Sequence, residues 1–200
     1  MPDGMTRPML PAVEKFVVEM RKLCEAEVKD STLWEKSREL LADLIADPGL
    51  KAHARNWPVT GYNPETNKVS NLLFYEDPDY GFVINALIKN PGGSAMIHDH
   101  GPSWTIYGVL QGQERIVHYN SKKREDGNFD ISEKHAEICR PGDIDVVPPN
   151  LIHSEYAGDE KSIAVIVRSQ RSGTFEQFRY LEDGSQVVIR GPEQEPYSLS

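Results

Sequence analysis

The sequence predicts a mainly β domain, a sandwich or barrel of many short strands, with a helical segment at its N-terminus. Two observations carry this. From about Lys68 onward, short apolar and β-branched runs recur, each bounded by glycine, proline, asparagine or aspartate. Before that point the apolar residues recur at three- and four-residue steps instead. A chain of 200 residues that is 38% hydrophobic suits one domain with a sizeable core. We assign residues 1–66 to a helical segment packed on the barrel, 67–192 to the barrel itself and 193–200 to a flexible tail.

In the helical segment, Val13, Phe16, Val17, Met20 and Cys24 form one stripe, and Pro8 and Pro11 suit the start of that helix. Thr32 with Glu35 three residues later has the form of a capping box, and Leu33, Leu40, Leu41, Leu44 and Ile45 continue a second stripe. Asp47-Pro48-Gly49 stops it. The result is a helical pair laid against the outside of a sheet.

The β runs follow in order: Asn71 to Tyr75, Phe82 to Lys89, Ser94 to His98, Trp104 to Leu110, Glu114 to Tyr119, Ile144 to Val147, Ile152 to Tyr156, Ile163 to Arg168, Phe175 to Tyr180 and Val187 to Ile189. Turns are marked by Asp77-Pro78-Asp79, Pro91-Gly92-Gly93, Asp126-Gly127-Asn128 and Pro141-Gly142. Charge-rich Lys122 to Asp126 has the character of a solvated hairpin tip.

The formal net charge of -9 makes nucleic acid and anionic membrane surfaces poor partners. No apolar run approaches a membrane span, and Met1 to Arg7 lack the apolar core of a signal peptide, so a cytoplasmic location is expected. Cys24 and Cys139 then stay free thiols, with Cys139 in a strand core.

Function points to two segments, Ile97-His98-Asp99-His100-Gly101-Pro102 and Gly142 to His153. Alternation along an extended chain puts His98 and His100 on one face and Asp99 on the other. His153, from a distant strand, completes a face of three neutral imidazoles suited to a transition metal. His118 could face the same cavity, whereas His53 and His135 have the setting of surface residues. These segments resemble the two motifs of the cupin superfamily. Gly92, His98, His100 and Gly112 fit the first; Gly142, Pro148 and His153 fit the second, with Asn150 in place of a glycine and Ala157 in place of an asparagine. The glutamate of the first motif has no counterpart, since no Asp or Glu lies between His100 and Gln113. The resemblance implies a double-stranded β-helix, a jelly-roll barrel closed around a metal. Three neutral ligands would leave a divalent ion its full charge and open positions for a thiolate and dioxygen.

Across roughly Ser70 to His153 the chain is similar to the cysteine dioxygenase-type cupins, the thiol dioxygenases. The similarity lies in Asn71 to Asp79, in Pro91-Gly92-Gly93 before His98-Asp99-His100, and in Val109-Leu110-Gln111-Gly112. It implies Fe(II), with Ni, Zn or Mn as alternatives, held by His98, His100 and His153, and oxidation of a small thiol to its sulfinic acid by O2. Three family features are absent. The Ser-x-His-x-Tyr trio is replaced by Ile163 to Ser169, the carboxylate-binding arginine or glutamine has no counterpart near Ser70 or Asn71, and Thr105 or a neighbour stands at the crosslinking cysteine. Arg168 is the candidate replacement clamp for a substrate carboxylate, and Tyr107 and Tyr156 the candidate hydroxyls. The expected partners are therefore a small thiol or related acid and O2, in a monomer or homodimer. Two other uses of such a site are a metal-dependent lyase, isomerase or decarboxylase, and a non-catalytic small-molecule-binding cupin.

Overall fold

The computed structural model describes residues 9–26, 30–63 and 68–199; Pro8, the segment Met1 to Arg7 and Ser200 lie outside them. Helix α1 (Pro11–Glu25) starts with Pro11 in its first turn and buries Val13, Phe16, Val17 and Met20, as the stripe predicts. Helix α2 (Asp30–Ala46) buries Trp34, Ser37, Leu41, Leu44 and Ile45. It is already under way at Asp30, so Thr32 sits inside its first turn and is not its cap. Asp47 ends α2 and also starts a third helix, α3 (Pro48–Ala54): its side chain accepts from the Leu50 N–H at 2.8 Å, with Pro48 in the first turn. A stop signal of this composition is equally a start signal. Helix therefore extends to Ala54, and strand β1 (Gly61–Asn63) already belongs to the barrel, ahead of the boundary expected at 67.

One sheet has the order β1, β2 (Lys68–Glu76), β3 (Val83–Lys89), β9 (Ser162–Arg168), β4 (Thr105–Gln111), β7 (Ile144–Val147). The opposing layer contains β6 (Phe129–Cys139), β5 (Glu114–Lys123) and β8 (His153–Ala157), and the hairpin β10 (Gln177–Tyr180) and β11 (Gln186–Ile189). Residues 94–98 join β8 to β10 through isolated bridges, Ser94 to Tyr156 and His98 to both His153 and Arg179. This crossing order is the double-stranded β-helix. Ser94 to His98 is thus not the regular strand expected, because Gly92-Gly93 before it and Gly101-Pro102 after it leave it too short for a ladder.

The largest core lies outside the barrel. The helices pack on the outer face of the first sheet, placing Leu41, Leu44 and Ile45 with Ile84, Ile88, Ile106, Ile163, Val165 and Val167. Each such side chain contributes roughly 1.5–3 kcal/mol by leaving water. Contact is tightest at Gly108 of β4, where a Cβ would lie 3.1 Å from Leu41 Cδ2 and 3.2 Å from Ile45 Cδ1. Because both faces of this sheet are covered, β9 is buried along its whole length and reads as an unbroken apolar run. Ala164 and Ile166 face the barrel interior with Tyr107, Val109, Ile116 and Cys139; burial pushes the Cys139 thiol up to about 12. Arg168 is next in that inward register.

The tail expected to be loose is tied down. Strand β12 (Glu193–Pro196) pairs in parallel with β2, the Tyr197 N–H donates to the Leu73 carbonyl at 2.9 Å, and Leu199 is buried. The exposed backbone edge of β2 supplies the partners, which a charged strand ending in proline can take only at an edge. Strand β6 carries mostly exposed side chains and lacks the apolar run that marked its neighbours. Among the described residues no helix is long and apolar enough to cross a membrane.

Asp77 clamps the helices to the barrel. It accepts from Arg21 Nη1 at 2.7 Å, from the Tyr75 hydroxyl at 2.8 Å, and from the N–H groups of Asp79 and Tyr80 at 3.0 and 2.9 Å. Burial raises its carboxyl, but these donors outweigh it and hold it below the usual range. A depressed folded-state value stabilises above the unfolded value and is lost as pH falls through the folded one. We expect Asp77→Asn to lower stability at pH 7 by about 1–3 kcal/mol. In denaturant melts its deficit against the parent should shrink below about pH 4; a deficit independent of pH would discount the carboxylate's charge.

Candidate metal centre

Two chain segments meet at the site through their backbones. The His98 N–H donates to the His153 carbonyl at 3.0 Å and the His153 N–H to the His98 carbonyl at 2.9 Å, a hydrogen-bonded antiparallel pair that puts both side chains on one face. Asp99 leaves the opposite face, is buried, and anchors the loop: its Oδ1 accepts from the Gly101 N–H at 2.9 Å and the Phe178 N–H at 3.1 Å, its Oδ2 from the Tyr180 hydroxyl at 3.0 Å. Gly101 turns the chain with φ 51°, and a Cβ there would lie 2.3 Å from the Glu176 carbonyl oxygen. Its own carbonyl accepts from the Asn150 N–H at 2.8 Å. Asn150 has φ 61°, so it adopts the left-handed conformation that a glycine would take at this motif position.

The three imidazoles converge. Ring centroids are 5.0 Å apart for His98 and His100 and 4.6 Å for each of them with His153, and one nitrogen from each lies within 4.8 Å of the others. His98 Nδ1 donates to the Met96 carbonyl at 2.7 Å, which leaves Nε2 as its lone-pair atom, 3.2 Å from His100 Nε2. Two donors about 2.1 Å from one ion and at right angles sit about 3.0 Å apart, so this spacing fits a metal. Burial, then the nearby His153, lowers His98 to about 4; burial, then Arg168, holds His100 well below its ordinary value. Both are neutral at pH 7, the state in which imidazole binds metal.

His98 and His100 open on a cavity of ≈1060 Å³ that also meets Asn71, Tyr107, Glu155, Arg168 and Gln177. Four basic residues line it, Lys89, Arg168, Arg179 and Arg190, against two acidic ones, Glu155 and Glu193, in a chain whose net charge is -9. Arg168 is 5% exposed, with Nε and Nη1 buried and without partners. Burial pulls its guanidinium down to about 10, still cationic at neutral pH. Asn71 Nδ2 and Gln177 Nε2 are also buried donors without partners. Such groups are costly to leave unpaired, and an acceptor oxygen placed in the cavity would satisfy them.

The other expected residues are distributed differently. Tyr107 lines the cavity, but its hydroxyl donates to Glu114 Oε2 at 2.7 Å and accepts from Lys89 Nζ at 3.1 Å, so it is already engaged. Burial, then the Glu114 charge, keeps this phenol well above its usual range. Tyr156 is corrected: it lies an odd number of residues from His153 on β8, hence on the opposite face, with the Arg115 guanidinium 5.9 Å over its ring. His118 pairs in register with His153, but its Nε2 is 2.9 Å from Asp145 Oδ2, a bond that raises it, and it is outside the histidine trio. Glu155 escaped the sequence reading, although it stands two residues after His153 and therefore shares its face.

The fold and site define a β-barrel that carries three converging histidines able to hold a metal ion. A family model described as Cupin matches residues 57–188, and the chain belongs to that family. Among solved structures it is similar to an oxalate oxidase (18% identity over 44% of this chain and 42% of that one, TM-score 0.37). It is also similar to the coconut allergen cocosin (15%, 52% and 25%, 0.41). A third is an uncharacterized conserved protein with a double-stranded beta-helix domain from Klebsiella pneumoniae (16%, 61% and 81%, 0.40). The chain spans under half the length of that oxalate oxidase chain.

We expect Asp99→Ala, which frees the loop without touching a ligand, to weaken Co(II) or Zn(II) affinity about 10–100-fold in competition with a chromophoric chelator. Unchanged affinity would remove Asp99 from the support of the site.

Proposed function

We propose that this cupin is an Fe(II)-dependent enzyme of the thiol dioxygenase kind, acting in the cytoplasm on a small thiol that carries a carboxylate. The observation that carries the proposal is one cavity onto which His98 and His100 of the three-histidine cluster open beside Arg168, whose Nε and Nη1 are buried and unpartnered. Iron on His98, His100 and His153 would supply the redox chemistry and ease loss of the thiol proton. The balance is RSH + O2 → RSO2H: both oxygen atoms reach sulfur, which loses four electrons while dioxygen gains four, and no external reductant is needed.

The chain's own residues supply recognition. The Arg168 guanidinium receives the carboxylate, with Nε–H and Nη1–H, on different edges of its plane, as the buried donors left free for it. Asn71 Nδ2 and Gln177 Nε2 add amide donors. The related enzymes place their carboxylate-binding residue near the position of Ser70 or Asn71 on β2, whereas the proposed clamp Arg168 stands at the end of β9. Leu87 and Ile166 line the same cavity and keep part of its wall dry.

The engaged hydroxyl of Tyr107 favours one further reading, a metal-dependent lyase, isomerase or decarboxylase of a small acid, in which the same Arg168 holds the carboxylate and no oxygen is consumed. Oxygen uptake by the iron-loaded protein separates the two. We expect uptake with 3-mercaptopropionate and cysteine that exceeds uptake with cysteamine, which lacks the carboxylate. Arg168→Met should raise KM for the carboxylate thiols by roughly 10–100-fold, in line with losing a charge-assisted bond, and leave cysteamine unchanged. No thiol-dependent uptake by fully loaded protein would overturn the dioxygenase reading and move the redox-neutral one ahead.

A further inference from the structure

Glu155 is a buried carboxylate whose one close partner is a histidine. It is 5% exposed, its Oε1 lies 3.1 Å from His153 Nε2, and its Oε2 is buried without a hydrogen-bond donor. No ion pair within 4.0 Å joins it to Lys89 or Arg168 among the described residues; its one such contact is His153. An ionised carboxylate kept from water without a cation or donors is strongly disfavoured. The one nitrogen it faces belongs to a residue of the histidine trio. His153 Nδ1 faces the Leu151 carbonyl, 3.4 Å away, so a His153 that ligates a metal does so through Nε2, whose lone pair then lies opposite the carboxylate oxygen. Two lone-pair atoms 3.1 Å apart are favourable when a positive ion lies between them, and that spacing matches an edge of an octahedral site, as does the 3.2 Å between His98 Nε2 and His100 Nε2.

We propose that Glu155 is a fourth, carboxylate donor to the ion held by His98, His100 and His153. It thereby replaces the acidic ligand that the first motif lacks, from the strand of the third histidine. Glu155 faces the same cavity but is outside the group of nitrogens that lie within 4.8 Å of one another, so its carboxylate swings inward to complete the sphere. It would enter on the side of His153, lower the net charge of the centre from +2 to +1, and leave two open positions on a six-coordinate ion. A carboxylate among imidazoles favours the harder ions Mn(II) and Fe(II) over Cu(I). The proposal rests on the three histidines as ligands and is independent of the thiol chemistry.

The test uses the full chain, with Co(II) as the probe. For the parent, Glu155→Gln and Glu155→Ala, Co(II) affinity is measured by chelator competition and the coordination sphere by its visible absorption. We expect affinity to fall at least tenfold in Glu155→Gln with a changed Co(II) spectrum, and acetate to shift the Glu155→Ala spectrum back toward the parent's. Acetate filling the gap keeps the test informative if the glutamine variant folds poorly. Equal affinity and an identical spectrum would overturn the proposal. So would weaker binding with an unchanged spectrum, which would make Glu155 an orienting neighbour of His153. Failure of the three-histidine reading would look different: His153→Ala would retain one equivalent of Co(II) with the parent's spectrum.

Discussion

The pair of backbone hydrogen bonds between His98 and His153 is the contact on which the site depends. It joins a short irregular segment to strand β8 and places two imidazoles side by side before any metal is bound. His100 follows because the chain is extended there and Gly101 lets it turn at once. Asp99, directed away, ties the same residues to β10 through Phe178 and Tyr180. Three converging imidazoles are thus a consequence of backbone pairing and one buried carboxylate. That is the preorganisation a metal site requires, since ligands left to loops would cost ordering entropy on binding.

The position of the hydrophobic core explains how the barrel can hold so many polar groups. A barrel of this size ordinarily fills its interior with apolar side chains. Here most of the apolar burial lies between α1, α2, α3 and the outer face of the first sheet, and only a small cluster around Tyr107, Val109 and Ile166 remains inside. The helices are therefore structural necessities of the site. They stabilise the sheet from outside while its inner face carries Asn71, Lys89 and Arg168, with Lys89 paired to Glu114 of the opposing β5.

Much of this was legible in the sequence, for identifiable physical reasons. His98, His100 and His153 stood out by spacing and flanking glycines, and nine of the ten expected β runs and the two helical stripes became strands and helices. Other features hid behind local ambiguity. Asp47-Pro48-Gly49 ends one helix and begins the next, and β6 and β12 are polar because they lie at sheet edges. Asn150 departed from the glycine pattern yet takes the backbone conformation of one. Tyr156 failed by a single residue of register, since neighbours on a strand point to opposite faces. Glu155 lies outside the motif pattern, which sets its acid beside the first two histidines, whereas the face of His153 continues two residues further along β8. The free donors of Arg168 could not be read from sequence, because they depend on which carboxylates the fold keeps away from it.

The most direct measurement is X-ray absorption on the protein loaded anaerobically with one equivalent of Fe(II). The account predicts one ion per chain, bound entirely through nitrogen and oxygen, with the outer-shell scattering of three imidazoles. An ion with fewer than three imidazoles, or no retention of one equivalent after desalting, would contradict it.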